Sequence, residues 1–526
     1  MKATLHFVLV FMLFGSVKAQ NTTISPSVFS PPRQSYDAIL SIPSPQTGDM
    51  VYDTTFNCLR VYTAGKWNCS YKQPGDLTPN ISGFAFINGT GQSIGYGIAL
   101  DDSSNVYVTG FFKGNATFDT ITISSGNGTD STGMFIAKYG KNSRVKWVKM
   151  AKANATISGS QLTLDKNGNI YIVGTYGGNA SFGTATVTSL GGHDIFIAKY
   201  TNNGQFQWVR SAGSNSTTGY DYSRSIVADS QGNVYLTGNY YTTATFETST
   251  ITSSGQSDFF LAKYDTNGNL LWVKSGGGAG NDYGHGITLD SNENVYIVGS
   301  FDGTTNIGGN SIISSGYRDI FFARYSPNGI MGLLQFAGGA GDDVGYNIQV
   351  DGNYIIYISG SFSGTVSFGN PVFGPISKPV SGIVSKSSSG ENDIFIAKYD
   401  MANYLLSWVQ TAGGAKSEHT YRMKLDTTGN IYIAGIFMNT VKFGSISKIS
   451  SGAFDAFVAK CSSIGEFEWV QSIGGKLSDE AYGVDVSKNG NVFVTGTYSG
   501  KAAFGSTFYS TSGYNNFYVI KLDSEF

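Results

Sequence analysis

Asp194-Ile195-Phe196-Ile197-Ala198-Lys199-Tyr200 and Asp393-Ile394-Phe395-Ile396-Ala397-Lys398-Tyr399 are the same seven residues written twice. Degenerate copies end at Tyr139, Tyr264, Tyr325, Cys461 and Leu522, so the string recurs at steps of 61, 64, 61, 74, 62 and 61 residues. A near-fixed period of this size marks a repeat architecture. Two further strings keep the register. One ends at Gly110, Gly174, Gly238, Gly299, Gly360, Gly435 and Gly496. The other aligns Trp147, Trp208, Trp272, Trp408 and Trp469, with Leu333 in the same slot of one copy.

Each copy reads as four short strands separated by turns rich in Asp, Asn and Gly, and no window carries a helical period. Repeated four-stranded units predict an all-β fold, a seven-bladed β-propeller of four-stranded blades. A solenoid is the alternative. The last copy ends after its third strand, and an orphan strand, Phe84-Ala85-Phe86-Ile87, precedes the first copy with Phe84 in the Trp slot. That N-terminal strand is expected to complete the last blade and remove its exposed edge. On these motifs, residues 82–526 resemble the secreted seven-bladed β-propeller repeat family. The resemblance implies the fold and brings no catalytic residues with it.

The chain has 34 basic and 36 acidic residues and a net charge of −2, which leaves no basic surplus for nucleic acid. Hydrophobic residues make up 40%, enough for a large core, so global disorder is excluded. Lys2, the apolar run from Leu5 to Phe14 and Val17-Lys18-Ala19 read as a secretory signal over 1–19. The run is too short for a transmembrane anchor. Export to the cell surface or beyond is the expectation. Residues 20–47 read as a Pro/Ser-rich linker and 48–73 as a Cys hairpin module, with the propeller over 74–526. A disulfide between Cys58 and Cys69 is plausible in an oxidising compartment, whereas Cys461 reads as a buried free thiol.

Positions shared by every copy are expected to serve the fold. Phe112, Tyr176, Tyr240, Phe301, Phe362, Phe437 and Tyr498 form one aromatic set. Phe118, Phe182, Phe246, Ile307, Phe368, Phe443 and Phe504 form a second. Both should pack blade on blade. Asp194, Asp258, Asp319, Asp393 and Asp455 open the third strands, and a cation follows each five residues later. Pairing between neighbouring blades is expected of them. The Asp-x-x-Gly-Asn segments, such as Asp165–Asn169, read as hairpin turns rather than calcium loops.

Segment lengths separate the two faces. The turn and third-to-fourth-strand spacings are nearly constant, whereas the second-to-third-strand and blade-to-blade segments vary, so the variable face is where binding is expected. On it, Asp282, Asp343, Glu418 and Asp479 predict an acidic rim, joined by Asp221. Tyr220 and Tyr222 lie in an extended loop, and the fifth copy carries an insert with Lys378 and Lys386. No cofactor or metal motif is present, and no catalytic constellation. The leading expectation is a secreted or surface-exposed non-enzymatic propeller that binds a protein or glycan. The alternatives are a hydrolase or lyase using the acidic rim, or a structural envelope subunit.

Overall fold

The computed structural model describes residues 33–34, 38–39, 41–53, 58–63, 66–72, 78–126, 131–217, 219–369, 382–401, 405–511 and 514–523. The chain divides into two compact bodies, Met1–Thr78 and Pro79–Phe526. In the first, strands Arg33–Gln34, Met50–Asp53, Cys58–Thr63 and Lys66–Lys72 pair in that order. The last two are antiparallel, with Cys58 opposite Lys72 and Cys69 opposite Arg60 across a bulge. The side chains of both cysteines, the whole of 1–19 and most of 20–47 lie outside the described residues.

In the second body every named element is a strand. The first repeat pairs Ser93–Leu100, Val106–Lys113, Thr132–Tyr139 and Val145–Ala153 in succession, all antiparallel. Third strands such as Asp194–Tyr200 are buried at every residue, which is why they read as nearly unbroken apolar runs. First strands pack against the first strands of the flanking repeats. The first strand of the last repeat, Glu480–Val486, packs against Ser93–Leu100 of the first. Ile81–Gly89 is the outermost strand beside Asn516–Leu522, with Phe86 opposite Tyr518. Phe84 does not take the Trp slot: Gly83 stands opposite Lys521, as Trp147 and Trp208 stand opposite Lys138 and Lys199, and Phe84 falls one residue on, opposite Ile520.

The second-to-third-strand segments, expected as loops, are instead hairpins. Each clasps the outermost strand of the repeat before it: Phe182 stands opposite Ala151, Phe246 opposite Ala212 and Phe443 opposite Ala412. In the first repeat, Asn115–Phe118 clasps Ile81–Gly89 in the same way, Phe118 opposite Ile87. The second aromatic set therefore sits at the clasp. Burying each such ring contributes roughly 1.5–3 kcal/mol relative to exposure. Phe118, Phe182, Phe246, Phe368, Phe443 and Phe504 are each at most 1% exposed. In the fifth repeat the hairpin strands are Thr365–Phe368 and Val384–Ser387. Residues 370–381 between them, Lys378 included, lie outside the described residues.

The repeated cations do not pair with the strand-opening aspartates. Lys199 Nζ donates to the carbonyl oxygen of Thr266 and Lys398 Nζ to that of Ser463, both at 2.9 Å, reaching the turn of the next repeat. Each lysine also stands over a tyrosine ring of its own repeat, Tyr171 and Tyr357. The turn aspartates organise the hairpin turns. Asp165 accepts the N–H groups of Asn167 and Asn169 at 2.9 Å on one oxygen and the Asn169 side-chain amide at 2.8 Å on the other.

Candidate binding cavity

An antiparallel pair tolerates one extra residue as a bulge, which leaves that residue unpaired and re-aims its side chain. All seven first strands carry one, at the same place. The ladder skips a residue between Gly95 and Gly97, Gly159 and Gln161, Ser223 and Ser225, and Gly284 and Gly286. It does so again between Gly345 and Asn347, Thr420 and Arg422, and Ala481 and Gly483. The skipped residues are Tyr96, Ser160, Arg224, His285, Tyr346, Tyr421 and Tyr482.

These seven side chains meet. All of them line one cavity of about 490 Å³, together with Ser158, Thr175, Tyr222, Ser223 and Arg422. That volume is in the range of small-molecule sites. Its wall is an arc of rings. Tyr421 and Tyr482 stack at 5.0 Å between centroids, Tyr96 meets Tyr482 at 4.9 Å, and His285 meets Tyr346 at 5.2 Å. A second cavity of about 480 Å³ is lined by Asn281, Tyr283, Asp302, Tyr317, Arg318 and Asp342, and the Tyr283 ring lies 5.8 Å from that of His285 in the arc.

Two guanidinium groups stand in the arc. Arg224 lies over the rings of Tyr222 and Tyr283, 5.6 and 5.5 Å from their centroids. Arg422 Nη2 donates to the carbonyl oxygen of Arg224 at 3.0 Å, joining the sixth repeat to the third. Burial and the charge of Arg224 pull the Arg422 guanidinium down to about 10. Burial first, then Arg224, Arg318 and Arg422, hold His285 well below the usual imidazole range, and its Nε2 is hydrogen-bonded to Ser300 Oγ at 3.3 Å. Arg318 is neutralised by a two-point pair with Asp342, at 2.7 and 2.6 Å. Glu480, near Tyr421 and Tyr482, raises both phenols further after burial has done so.

Of the residues expected to bind a ligand, Tyr222 lines this cavity. Tyr220 lies beside it, 43% exposed, its ring 4.4 Å from that of His193 and 6.3 Å from that of Tyr222. Lys386 sits in a hairpin strand opposite Val366. The acidic rim is not a surface feature: Asp221, Asp282, Asp343, Glu418 and Asp479 are each 0% exposed. Four of them accept the N–H where the preceding outermost strand ends. Ser214 donates to Asp221, Gly278 to Asp282, Gly414 to Glu418 and Gly475 to Asp479, at 2.6–2.8 Å. A carboxylate that satisfies buried backbone donors is a structural part of the chain crossing. Among the described residues no group of three or more His, Cys, Asp or Glu could hold a metal ion.

These seven residues form a collar that positions identical in every copy do not reveal, because they differ from copy to copy. Each skipped residue stands 14 positions before the repeat glycine, from Tyr96 and Gly110 to Tyr482 and Gly496. A position that varies among Tyr, Ser, Arg and His inside an otherwise repeated strand was the available signal.

Residues 207–239 and 272–307 match the beta-propeller repeat family, SBBP. An uncharacterized WD repeat-containing protein of Acanthamoeba polyphaga mimivirus is 24% identical over 440 residues, 68% of this chain and 31% of that protein. The match thus spans about a third of the relative's length. Among solved structures, the Neurospora crassa Pan2 WD40 domain aligns at 9% identity and a TM-score of 0.41, over 85% of this chain and 96% of that one. YCF48 bound to D1 peptide aligns at 9% identity and 0.39, over 87% and 100%.

Proposed function

We propose that this chain, which carries beta-propeller repeats at 207–239 and 272–307, is a closed seven-bladed propeller acting outside the cytoplasm as a glycan-binding protein. Closure is supported by the pairing of Ile81–Gly89 with Asn516–Leu522 and by the packing of the last first strand on the first. Export rests on the signal-like segment at 1–19. The observation that carries the ligand assignment is the convergence of all seven bulge residues on one cavity whose lining, among the described residues, holds no aliphatic side chain. Rings offer flat apolar faces, and Tyr, Ser, Thr and Arg offer hydrogen-bonding edges. A sugar presents the same alternation of C–H faces and hydroxyls. A protein partner would instead need about 800 Å² of matching surface on each side.

The test is a glycan array probed with the intact protein and with Tyr421→Ala and Tyr482→Ala. Binding to a defined saccharide set, lost in both variants while their melting temperatures stay near the parent's, is the expected result. Retained binding in both variants would move the site elsewhere on the molecule.

A further inference from the structure

Resting on the glycan reading, the charge in the collar narrows the ligand class. Arg224 of the third repeat and Arg422 of the sixth line the same cavity, and neither forms an ion pair among the described residues. The neighbouring Arg318 has its own carboxylate in Asp342. Glu480 is occupied from the tyrosine side of the arc, where Tyr421 Oη lies 3.5 Å from it. Among the described residues the cavity lining contains no Asp or Glu. The only hydrogen bond shared by the two arginines runs from Arg422 to a backbone carbonyl, which carries no formal charge.

Two partly buried cations of like sign, drawn together without a counter-ion, are costly unless a ligand supplies one. Stacking against Tyr222 and Tyr283 holds the Arg224 guanidinium plane, and Arg422 is fixed by its bond to the Arg224 carbonyl. Planar, pre-oriented guanidinium groups suit the two-point recognition of a carboxylate. Around them the hydroxyls of Ser158 and Ser160 can meet the rest of a sugar ring.

We propose that Arg224 and Arg422 together seat the carboxylate of an acidic sugar, so that the ligand is a uronic-acid oligosaccharide whose charged ring lies inside the tyrosine collar.

The experiment is calorimetric titration of the whole chain with tetramers of galacturonate, glucuronate and mannuronate, their methyl esters, a sulfated galactan tetramer and tetraglutamate. At least one uronate tetramer should bind, and its ester about tenfold or more weaker. Arg224→Gln and Arg422→Gln should each lose about tenfold or more on the acid and leave the ester nearly unchanged, whereas Arg422→Lys should retain part of the preference. Arg224→Gln leaves the cross-cavity donor in place, so it carries the test if Arg422→Gln does not fold. Esters that bind as tightly as the acids overturn the proposal and leave the glycan reading standing. Binding of the sulfated tetramer alone overturns the carboxylate assignment. Binding of tetraglutamate alone, or of no probe, overturns both.

Discussion

Gly277 lies against the carboxyl group of Asp258, so close that a β-carbon there would stand 2.1 Å from the Asp258 carboxyl carbon. Gly213 and Asp194, Gly338 and Asp319, Gly413 and Asp393, and Gly474 and Asp455 repeat the relationship. The aspartate turns back to accept a hairpin N–H four residues upstream, Ser254 to Asp258 at 3.0 Å, and needs the space of a missing side chain. Gly277→Ala should therefore destabilise the protein by about 1–3 kcal/mol through overpacking. In an Asp258→Ala background the same change should cost much less, because the clashing group is gone. Denaturant melts of the two singles and the double decide it, and additive losses would count against a shared cause.

Each strand-opening aspartate has a second buried acid nearby. Burial raises Asp258 to about 6 and Asp282 to about 7, with Asp258 adding to the latter. Burial likewise raises Asp455 to about 6, Asp479 to about 7 and Glu418 to about 8. These folded-state values lie above those of the unfolded chain, so the folded state holds extra protons in between. The stabilisation is fully present near pH 4 and lost as pH rises through the folded values. Melting temperature should fall from about pH 4 to about pH 8, and Asp258→Asn should flatten the slope. Below pH 4 the sign reverses, because turn acids such as Asp426 are lowered through hydrogen bonds from Thr428 and Asn430 that outweigh their desolvation. A profile that rises from pH 4 to pH 8 would show that the pairs are ionised and compensated.

Phe182 is 0% exposed and its ring lies 4.9 Å from that of Phe196. Phe182→Ala should cost about 3–5 kcal/mol. Hydrogen exchange should show the loss first in the clasp, Asn179–Phe182 and Ala185–Thr188, since that hairpin has few other partners. Faster exchange spread evenly over the second repeat would mean that the clasp is not a separable element.

Removing residues 80–88 should strip the outermost strand from Asn516–Leu522 and leave a bare edge on the last repeat. Light scattering should then report self-association, together with a lower melting temperature. A truncated protein that stays monodisperse and melts like the parent would falsify the role given to this strand.

The fold was legible because the repeat strings carry their own register. Apolar runs such as Asp194–Tyr200 must be covered on both faces, and the orphan strand had an edge to pair with, although its register is one residue off the expected one: Gly83, not Phe84, meets Lys521. The clasps were less visible, since Asn179–Phe182 is short and polar enough to pass for a loop. Its pairing with Ala151 joins residues of different repeats. The acidic residues misled because Asp282 and its equivalents sit in turn-like strings. Only the chain path shows that backbone donors such as Gly278 N–H turn them inward. Arg224 and Arg422 are 198 residues apart, and no local pattern links them.

The strand Ile81–Gly89 is gripped from two sides, and the two grips become available at very different times. The clasp Asn115–Phe118 follows it within about 30 residues, whereas its other partner, Asn516–Leu522, comes more than 400 residues later. At roughly 5–20 residues per second of synthesis, that interval is on the order of 20–80 seconds. Throughout it, only Ile87, Asn88 and Gly89 have a ladder partner, and Ile81–Phe86 waits as an open edge. The first-made strand of the second body is thus the last to be completed, and the early clasp can hold it beside the first repeat until the ribosome delivers its mate.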